Sequence, residues 1–264
     1  MKKLLSFSIA LLSITTLVAC SGHKAESKVP EEKIEQKQIK FDEKLFKEAG
    51  LLPFKNEKQL ELRELDSKSR ATGAHIQLKD SDEPTEKRES KLTYDPVGWH
   101  NYKFFYGDGK KEAWLMSRGH LIGYQFSGLN DEKRNLVPMT NWLNAGNYSG
   151  TDDQNQSSML YYENRLDSWL ANHPNYYLDY KVTPIYQKDE LIPRQIELQY
   201  VGIDENGKLL EIKLGGSKEK VDQYSVTHVV LDNVSANAEI NYLDGTANNT
   251  VENKEEKAKK EAEE

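Results

Sequence analysis

The residues best suited to chemistry lie between Trp114 and Glu163. His120 stands in the segment 117–121, Ser-Arg-Gly-His-Leu, and two asparagines follow it, Asn135 and Asn144, nine residues apart. A neutral imidazole, whose unperturbed pKa is about 6.5, can activate water near neutral pH. The glycine before His120 leaves room to hold the ring rigidly. Taken alone, however, this motif fits a core or surface histidine equally well.

Both helices and strands are predicted to position these residues. Between residues 158 and 171, apolar side chains recur at helical spacing, and a His-Pro pair then ends the predicted helix. A second, short helix is predicted over 41–49, and an Asn-Gly turn at 206–207 predicts a hairpin. Strands are predicted at 75–78, 102–106, 136–139, 177–186, 195–203, 209–214 and 226–231.

The N-terminal residues predict export. Lys2 and Lys3 precede an apolar run from Leu4 to Val18, which is too short for a comfortable membrane span. Small residues before Cys20 are typical of a lipobox, so we expect a signal peptide over 1–19 and a lipid on Cys20. A plain signal peptide that contains a cysteine is the alternative. Since Cys20 is the only cysteine, no internal disulfide can form.

Composition divides the rest of the chain. Residues 20–39 are polar and charged and predict a flexible stalk, 40–243 form the folded domain, and 244–264 predict a disordered charged tail. The motifs concentrate in residues 114–172. We expect a monomer held at the outer, extracellular face of a bacterial membrane.

Net charge gives no support for a nucleic-acid partner. The chain carries 36 basic and 43 acidic residues, a net charge of −7. Phosphate binding usually draws on clustered cations, so charge alone favours a sugar or peptide binder. An unrelated solute-binding lipoprotein would need two lobes and a hinge, and the folded domain is too short for them.

The motifs nevertheless resemble a known family. Arg118-Gly119-His120-Leu121, followed by Asn135 and Asn144, resembles the DNA/RNA non-specific endonucleases of the ββα-metal or His-Me finger group, particularly the streptococcal-type surface and secreted nucleases. The likeness extends over about residues 65–205 and includes the segments 95–99, 121–124, 161–163, 182–186 and 196–197. It implies an α+β fold, with a central antiparallel sheet and an embedded ββα-metal finger.

The resemblance also implies roles for five residues. His120 would be the general base, and Asn144 the sole direct protein ligand of Mg²⁺, with Mn²⁺ as a substitute. Glu163 would hold the ion through water, Asn135 would support the site or the scissile phosphate, and Arg118 would approach the phosphate. The alternatives are turn or cap residues for the asparagines, a solvated helix position for Glu163 and a structural ion pair for Arg118.

Three positions depart from the family pattern or bear on such a departure. Most relatives have Asp where this chain has Ser117, and a basic residue where it has Asp167. Arg165 is a candidate to replace that basic residue.

We expect Mg²⁺-dependent hydrolysis of double- or single-stranded DNA and RNA with little sequence preference. The alternative is a surface lipoprotein of the same fold that binds nucleic acid with weak or no catalysis. The other histidines and the four tryptophans are predicted to be structural.

Overall fold

A computed structural model describes residues 42–263 of the chain. The predicted signal peptide, Cys20 and the stalk at 20–39 lie outside these residues. Within 42–263, no helix has the length and apolar character needed to cross a membrane.

The described residues contain thirteen strands, five α-helices and two single-turn 3-10 helices, Asp80–Asp82 and Lys133–Asn135. The strands are β1 (Gln59–Leu62), β2 (Ala74–Leu78), β3 (Lys103–Tyr106), β4 (Lys111–Trp114), β5 (Met116–His120), β6 (Leu136–Thr140), β7 (Tyr177–Ile185), β8 (Gln195–Ile203), β9 (Leu209–Leu210), β10 (Lys220–Val221), β11 (Thr227–Asp232), β12 (Ala238–Ile240) and β13 (Ala247–Asn249). The helices are α1 (Glu43–Glu48), α2 (Tyr124–Ser127), α3 (Asn141–Ala145), α4 (Met159–Asn172) and α5 (Lys254–Glu263).

The main sheet is antiparallel throughout. Its strand order is β1-β2-β7-β8-β11-β10, and β9 pairs with the end of β8. The two longest strands, β7 and β8, pair over their whole length, from Tyr177 opposite Ile203 to Ile185 opposite Gln195. The predicted central antiparallel sheet is confirmed.

One face of this sheet carries the core. Side chains that alternate along the strands, such as Ile76, Tyr180 and Leu198, are fully buried in the same cluster as Leu166 and Leu170 of α4. Ser158 caps the start of helix α4, because its hydroxyl accepts from the Tyr161 amide. The helix therefore lies on the core face of the sheet.

The ββα finger is a separate hairpin followed by a helix. Strands β5 and β6 pair from Met116 opposite Thr140 to His120 opposite Leu136, and α3 follows β6 directly. Thr140 caps α3 through its hydroxyl, which accepts from the Leu143 amide at 3.0 Å. The finger predicted from the resemblance is confirmed.

The predicted start of the charged tail, at residue 244, is wrong. Strand β13 pairs with β12, and the Asn249 side chain bonds both the amide and the carbonyl of Phe105, at 2.8 and 3.0 Å. Ala247 packs against the small core cluster that contains Phe104. A short polar hairpin has no apolar period to predict it, although Gly245 at φ +86° marks its turn. The remaining helix, α5, is fully exposed.

Candidate active site

His120 ends the first finger strand in a tightly packed position. A Cβ on the preceding Gly119 would lie 2.5 Å from the sulfur of Met139, so only glycine lets β5 and β6 approach this closely. His120 is 8% exposed, and its Nε2 lies 2.8 Å from the carbonyl oxygen of Asn130. Because a carbonyl can only accept, Nε2 carries the proton, and Nδ1 remains as the basic nitrogen.

The surroundings keep the His120 imidazole neutral. Burial lowers its pKa below the usual 6.5, against the opposing effect of the Asn130 hydrogen bond. The positive charge of Arg88 lowers the pKa further, whereas the carboxylate of Asp131 raises it. The ring is therefore in its proton-accepting form at neutral pH.

Asn135 fixes the backbone that follows His120. Its side chain is completely buried; Oδ1 accepts from the Ile122 amide at 3.0 Å, and Nδ2 donates to the Ile122 carbonyl at 2.9 Å. Its own carbonyl accepts from the Leu121 amide at 2.8 Å. Both polar atoms of its side chain are therefore used within the protein, and Asn135 is not among the residues that line the cavity next to His120, which is described below.

Glu163 reaches the site from α4. Its Oε1 accepts from the Gly123 amide at 2.9 Å, and a Cβ at Gly123 would lie 2.7 Å from the other carboxyl oxygen. Burial raises the pKa of Glu163 to about 7, although the hydrogen bonds from Gly123 and Gln125 act in the opposite direction. The carboxyl group is thus held in place against the glycine that follows the finger strand.

Asn144 faces the same cavity from the finger helix. Thr140 caps the start of α3, and Gly146 ends it in the left-handed conformation, at φ +78°. His120, Asn144 and Glu163 together line a cavity of about 410 Å³. Among the described residues, the Asn144 side-chain amide has no hydrogen-bond partner, so its oxygen is available to a ligand.

This set of donors fits a hard cation that keeps most of its water. Residues 42–263 contain no group of three or more His, Cys, Asp or Glu residues placed to enclose a metal ion. The amide oxygen of Asn144 and the carboxyl group of Glu163 instead line a cavity with room for several waters. Mg²⁺ prefers oxygen ligands and is usually bound through one or two protein groups.

Arg118 has a carboxylate partner despite Ser117. Its Nε and Nη2 lie 2.6 and 2.5 Å from Oδ1 of Asp95, and its guanidinium stacks 4.7 Å from the centre of the Trp99 ring. Ser117 bonds instead to the side chain of Asn141. The upstream motif at 95–99 therefore supplies the carboxylate partner of Arg118, which Ser117 cannot supply.

Arg88 is a site residue that the sequence did not reveal. It lines the cavity with His120, from an exposed loop held by the carboxylate of Asp131, which accepts from the amides of Thr93 and Tyr94 at 2.8 and 2.9 Å. Within the described residues, Arg88 forms no ion pair or side-chain hydrogen bond. Its neighbours along the chain are polar and follow no period, so no pattern marked it.

Arg165 does not replace the missing basic residue. It donates to the carbonyls of Asp153 and Tyr161 at 2.8 and 3.0 Å, and so stabilises the loop before α4 without lining the cavity. Asp167 does line the cavity, where it faces Glu83. Burial, together with the neighbouring Asp167 carboxyl group, raises the pKa of Glu83 to about 7, so the pair retains a proton near neutrality.

Comparison with known families identifies this arrangement. A model of the DNA/RNA non-specific endonuclease family matches residues 54–202, which is more than half of the chain. The chain belongs to this family. The matched range contains every site residue described above, and the endonuclease assignment agrees with the finger, the buried histidine and the asparagine on its helix.

Similar solved structures agree with this family assignment. One described as an extracellular nuclease is 51% identical, covers 76% of this chain and 98% of its own, and has a TM-score of 0.63. Another, an extracellular endonuclease, is 54% identical over 75% of this chain and 89% of its own, with a TM-score of 0.64. NucA from Streptococcus agalactiae with magnesium bound is 19% identical over 74% of this chain and 80% of its own, and its TM-score of 0.54 shows a shared fold. No curated protein matched the chain.

Proposed function

We propose that this endonuclease hydrolyses phosphodiester bonds of DNA and RNA with Mg²⁺ and with His120 as general base. The observation that carries the proposal is the buried, neutral His120, which lines one cavity with Asn144 and Glu163. A base, an oxygen ligand for a cation and a carboxyl group converge there, as metal-assisted hydrolysis of a phosphodiester requires.

His120 would accept the proton of the attacking water on Nδ1. The hydrogen bond from Nε2 to the Asn130 carbonyl fixes the tautomer and becomes stronger as the ring gains positive charge. Asn135 supports this step indirectly, because it fixes the backbone of Ile122, two residues after the base. We therefore assign Asn135 a positioning role.

Asn144 and Glu163 would hold the ion, Asn144 directly and Glu163 through water. When bound, Mg²⁺ would supply positive charge to the phosphate and to the leaving oxygen, and Mn²⁺ could replace it. The hydrogen bond from Gly123 to Glu163 orients the carboxyl group for this role.

Two guanidinium groups would bind the phosphate oxygens. Arg118 is pre-oriented by Asp95 and Trp99, whereas Arg88 extends over the cavity from its loop with its donors free. A planar guanidinium matches two phosphate oxygens. These local cations would allow the site to bind phosphate even though the net charge of the chain is −7.

We further propose that the enzyme acts outside the cell, anchored through a lipid on Cys20 to the outer face of a bacterial membrane. Two similar proteins of solved structure are described as extracellular. The anchor itself is supported by the sequence before Cys20. A Cys20→Ala protein that stays as membrane-bound as wild type after signal cleavage would contradict it.

The test is nicking of plasmid DNA and cleavage of a labelled RNA by the purified protein, with Mg²⁺ and with EDTA. His120→Ala should lower turnover roughly 10²- to 10⁴-fold, the usual contribution of a general base. His228→Ala is a matched control, because His228 lies on the main sheet between Glu197 and Asp222, outside the cavity. Equal turnover of the His120→Ala variant and wild type, or full activity in EDTA, would refute the proposal.

A further inference from the structure

A second cavity, of about 440 Å³, adjoins the active-site cavity. The two share Arg88, Arg118 and Asn144, so they form one continuous path. The second cavity is also lined by Lys91 and Ser117, and by no carboxylate. Of its three cations, Arg118 is paired with Asp95, whereas Arg88 and Lys91 form no ion pair within residues 42–263, although the net charge of the chain is −7.

Trp114 continues this path on the β3–β4 hairpin. It was expected to be structural, yet it is 51% exposed. It pairs across the hairpin with Lys103, whose ammonium lies 5.2 Å from the centre of the indole ring. Asn101 lines the second cavity and lies two residues before Lys103. Alternate residues of an extended chain share a face and lie roughly 6–7 Å apart. Lys103 and its cross-strand partner Trp114 therefore lie one such step beyond Asn101 on the same face.

The opposite face of this segment is already occupied. Tyr102 stacks on Phe104, with ring centres 5.5 Å apart, and Phe104 is buried in the small core cluster. Glu112 lies two residues before Trp114 on β4, so it shares the exposed face with Trp114. Its negative charge marks the end of the basic path. The second cavity together with Lys103 and Trp114 is called the side groove below.

We infer that the side groove binds the nucleotides on one side of the scissile phosphate, with the Trp114 indole stacked on an unpaired base. This inference rests on the proposed function and names its preferred substrate. Lys91 and the two arginines would neutralise backbone phosphates, which need positive charge whatever their sequence. An exposed indole gives any base a stacking surface, but a base within a duplex is already stacked on its neighbours. The enzyme should therefore bind single-stranded nucleic acid more tightly than duplex.

The experiment measures binding without cleavage. Each variant is made in the His120→Ala protein, and the Kd for a labelled single-stranded 12-mer and for its duplex is measured by fluorescence anisotropy with Mg²⁺. Trp114→Ala should weaken single-strand binding roughly 5- to 150-fold, the equivalent of one stacked base, and duplex binding much less. Trp114→Phe should restore most of the affinity, because it keeps an aromatic face. Val221→Ala is the control, because Val221 is also an exposed apolar residue but lies on the main sheet.

The outcomes separate this inference from the proposed function. Single-strand binding by Trp114→Ala as tight as that of its parent, or an equal loss for duplex and single strand, would overturn the inference. Failure of Trp114→Phe to recover affinity would also overturn it, since a stacking role does not depend on the indole nitrogen. Wild-type cleavage by the His120→Ala protein would instead refute the proposed general base, whatever the binding results.

Discussion

Replacing Asn135 tests whether it positions the base or touches the substrate. Asn135→Ala removes two hydrogen bonds and leaves the Ile122 amide without a partner in the core. The Ile122 carbonyl keeps only the longer bond from the Ser127 hydroxyl, at 3.3 Å. Since each unsatisfied buried group costs about 1–3 kcal/mol, the free energy of unfolding should fall by about 2–4 kcal/mol.

Urea unfolding and DNA cleavage, measured on the same Asn135→Ala preparation, check this expectation. Turnover should also fall, because the chain that leaves His120 loses its anchor. The control is Asn172→Ala, which removes one exposed bond to the Ser168 carbonyl and should change stability by less than about 0.5 kcal/mol. Unchanged stability of Asn135→Ala, combined with a large loss of turnover, would refute the positioning role and favour direct contact with the phosphate.

Three further predictions concern packing and protonation. Gly119→Ala should destabilise the finger by about 1–3 kcal/mol in urea unfolding, because the new Cβ meets the Met139 side chain; a wild-type midpoint would contradict the close packing. The pH profile of kcat/KM should fall on the acid side with an apparent pKa below 6.5, since burial favours neutral His120 and only the neutral ring accepts a proton; an acid limb above 6.5 would contradict this. Glu83 retains its proton in the fold up to about pH 7 but loses it near 4.5 when unfolded, so its contribution to stability falls as pH rises through this window. Glu83→Gln should therefore stabilise the protein by about 1 kcal/mol at pH 8 relative to pH 5, after allowance for partial exposure, and a pH-independent effect would rule out the shared proton with Asp167.

The parts of the fold that sequence predicted well are those with a strong local period. Helix α4 and strands β7 and β8 were located to within about a residue at most ends, because each repeats apolar side chains at the spacing of its element. Strand β5 carries Ser117, Arg118 and Gly119, which give no strand period. Only the family resemblance indicated that His120 ends a finger strand.

The contacts that complete the site could not be predicted because they join distant parts of the chain. The loop with Arg88 is docked by Asp131, and Arg118 is paired with Asp95, 23 residues away. Each of these residues is polar and lies in an irregular or exposed segment, so its role depends on the tertiary fold. The same holds for the hairpin that ends at Asn249, whose side chain replaces apolar packing with hydrogen bonds to Phe105.

The most direct test of the central claim is the cleavage rate as a function of Mg²⁺ concentration for wild type, Asn144→Ala and Glu163→Gln. The Asn144 side chain has no hydrogen bond to lose among residues 42–263, so Asn144→Ala should keep the wild-type melting temperature. It should nevertheless need far more Mg²⁺ or lose activity altogether, because its amide oxygen is the proposed direct ligand. Glu163→Gln should shift the curve less, since Glu163 acts through water. An Asn144→Ala curve that superimposes on wild type would contradict the assignment of the metal site.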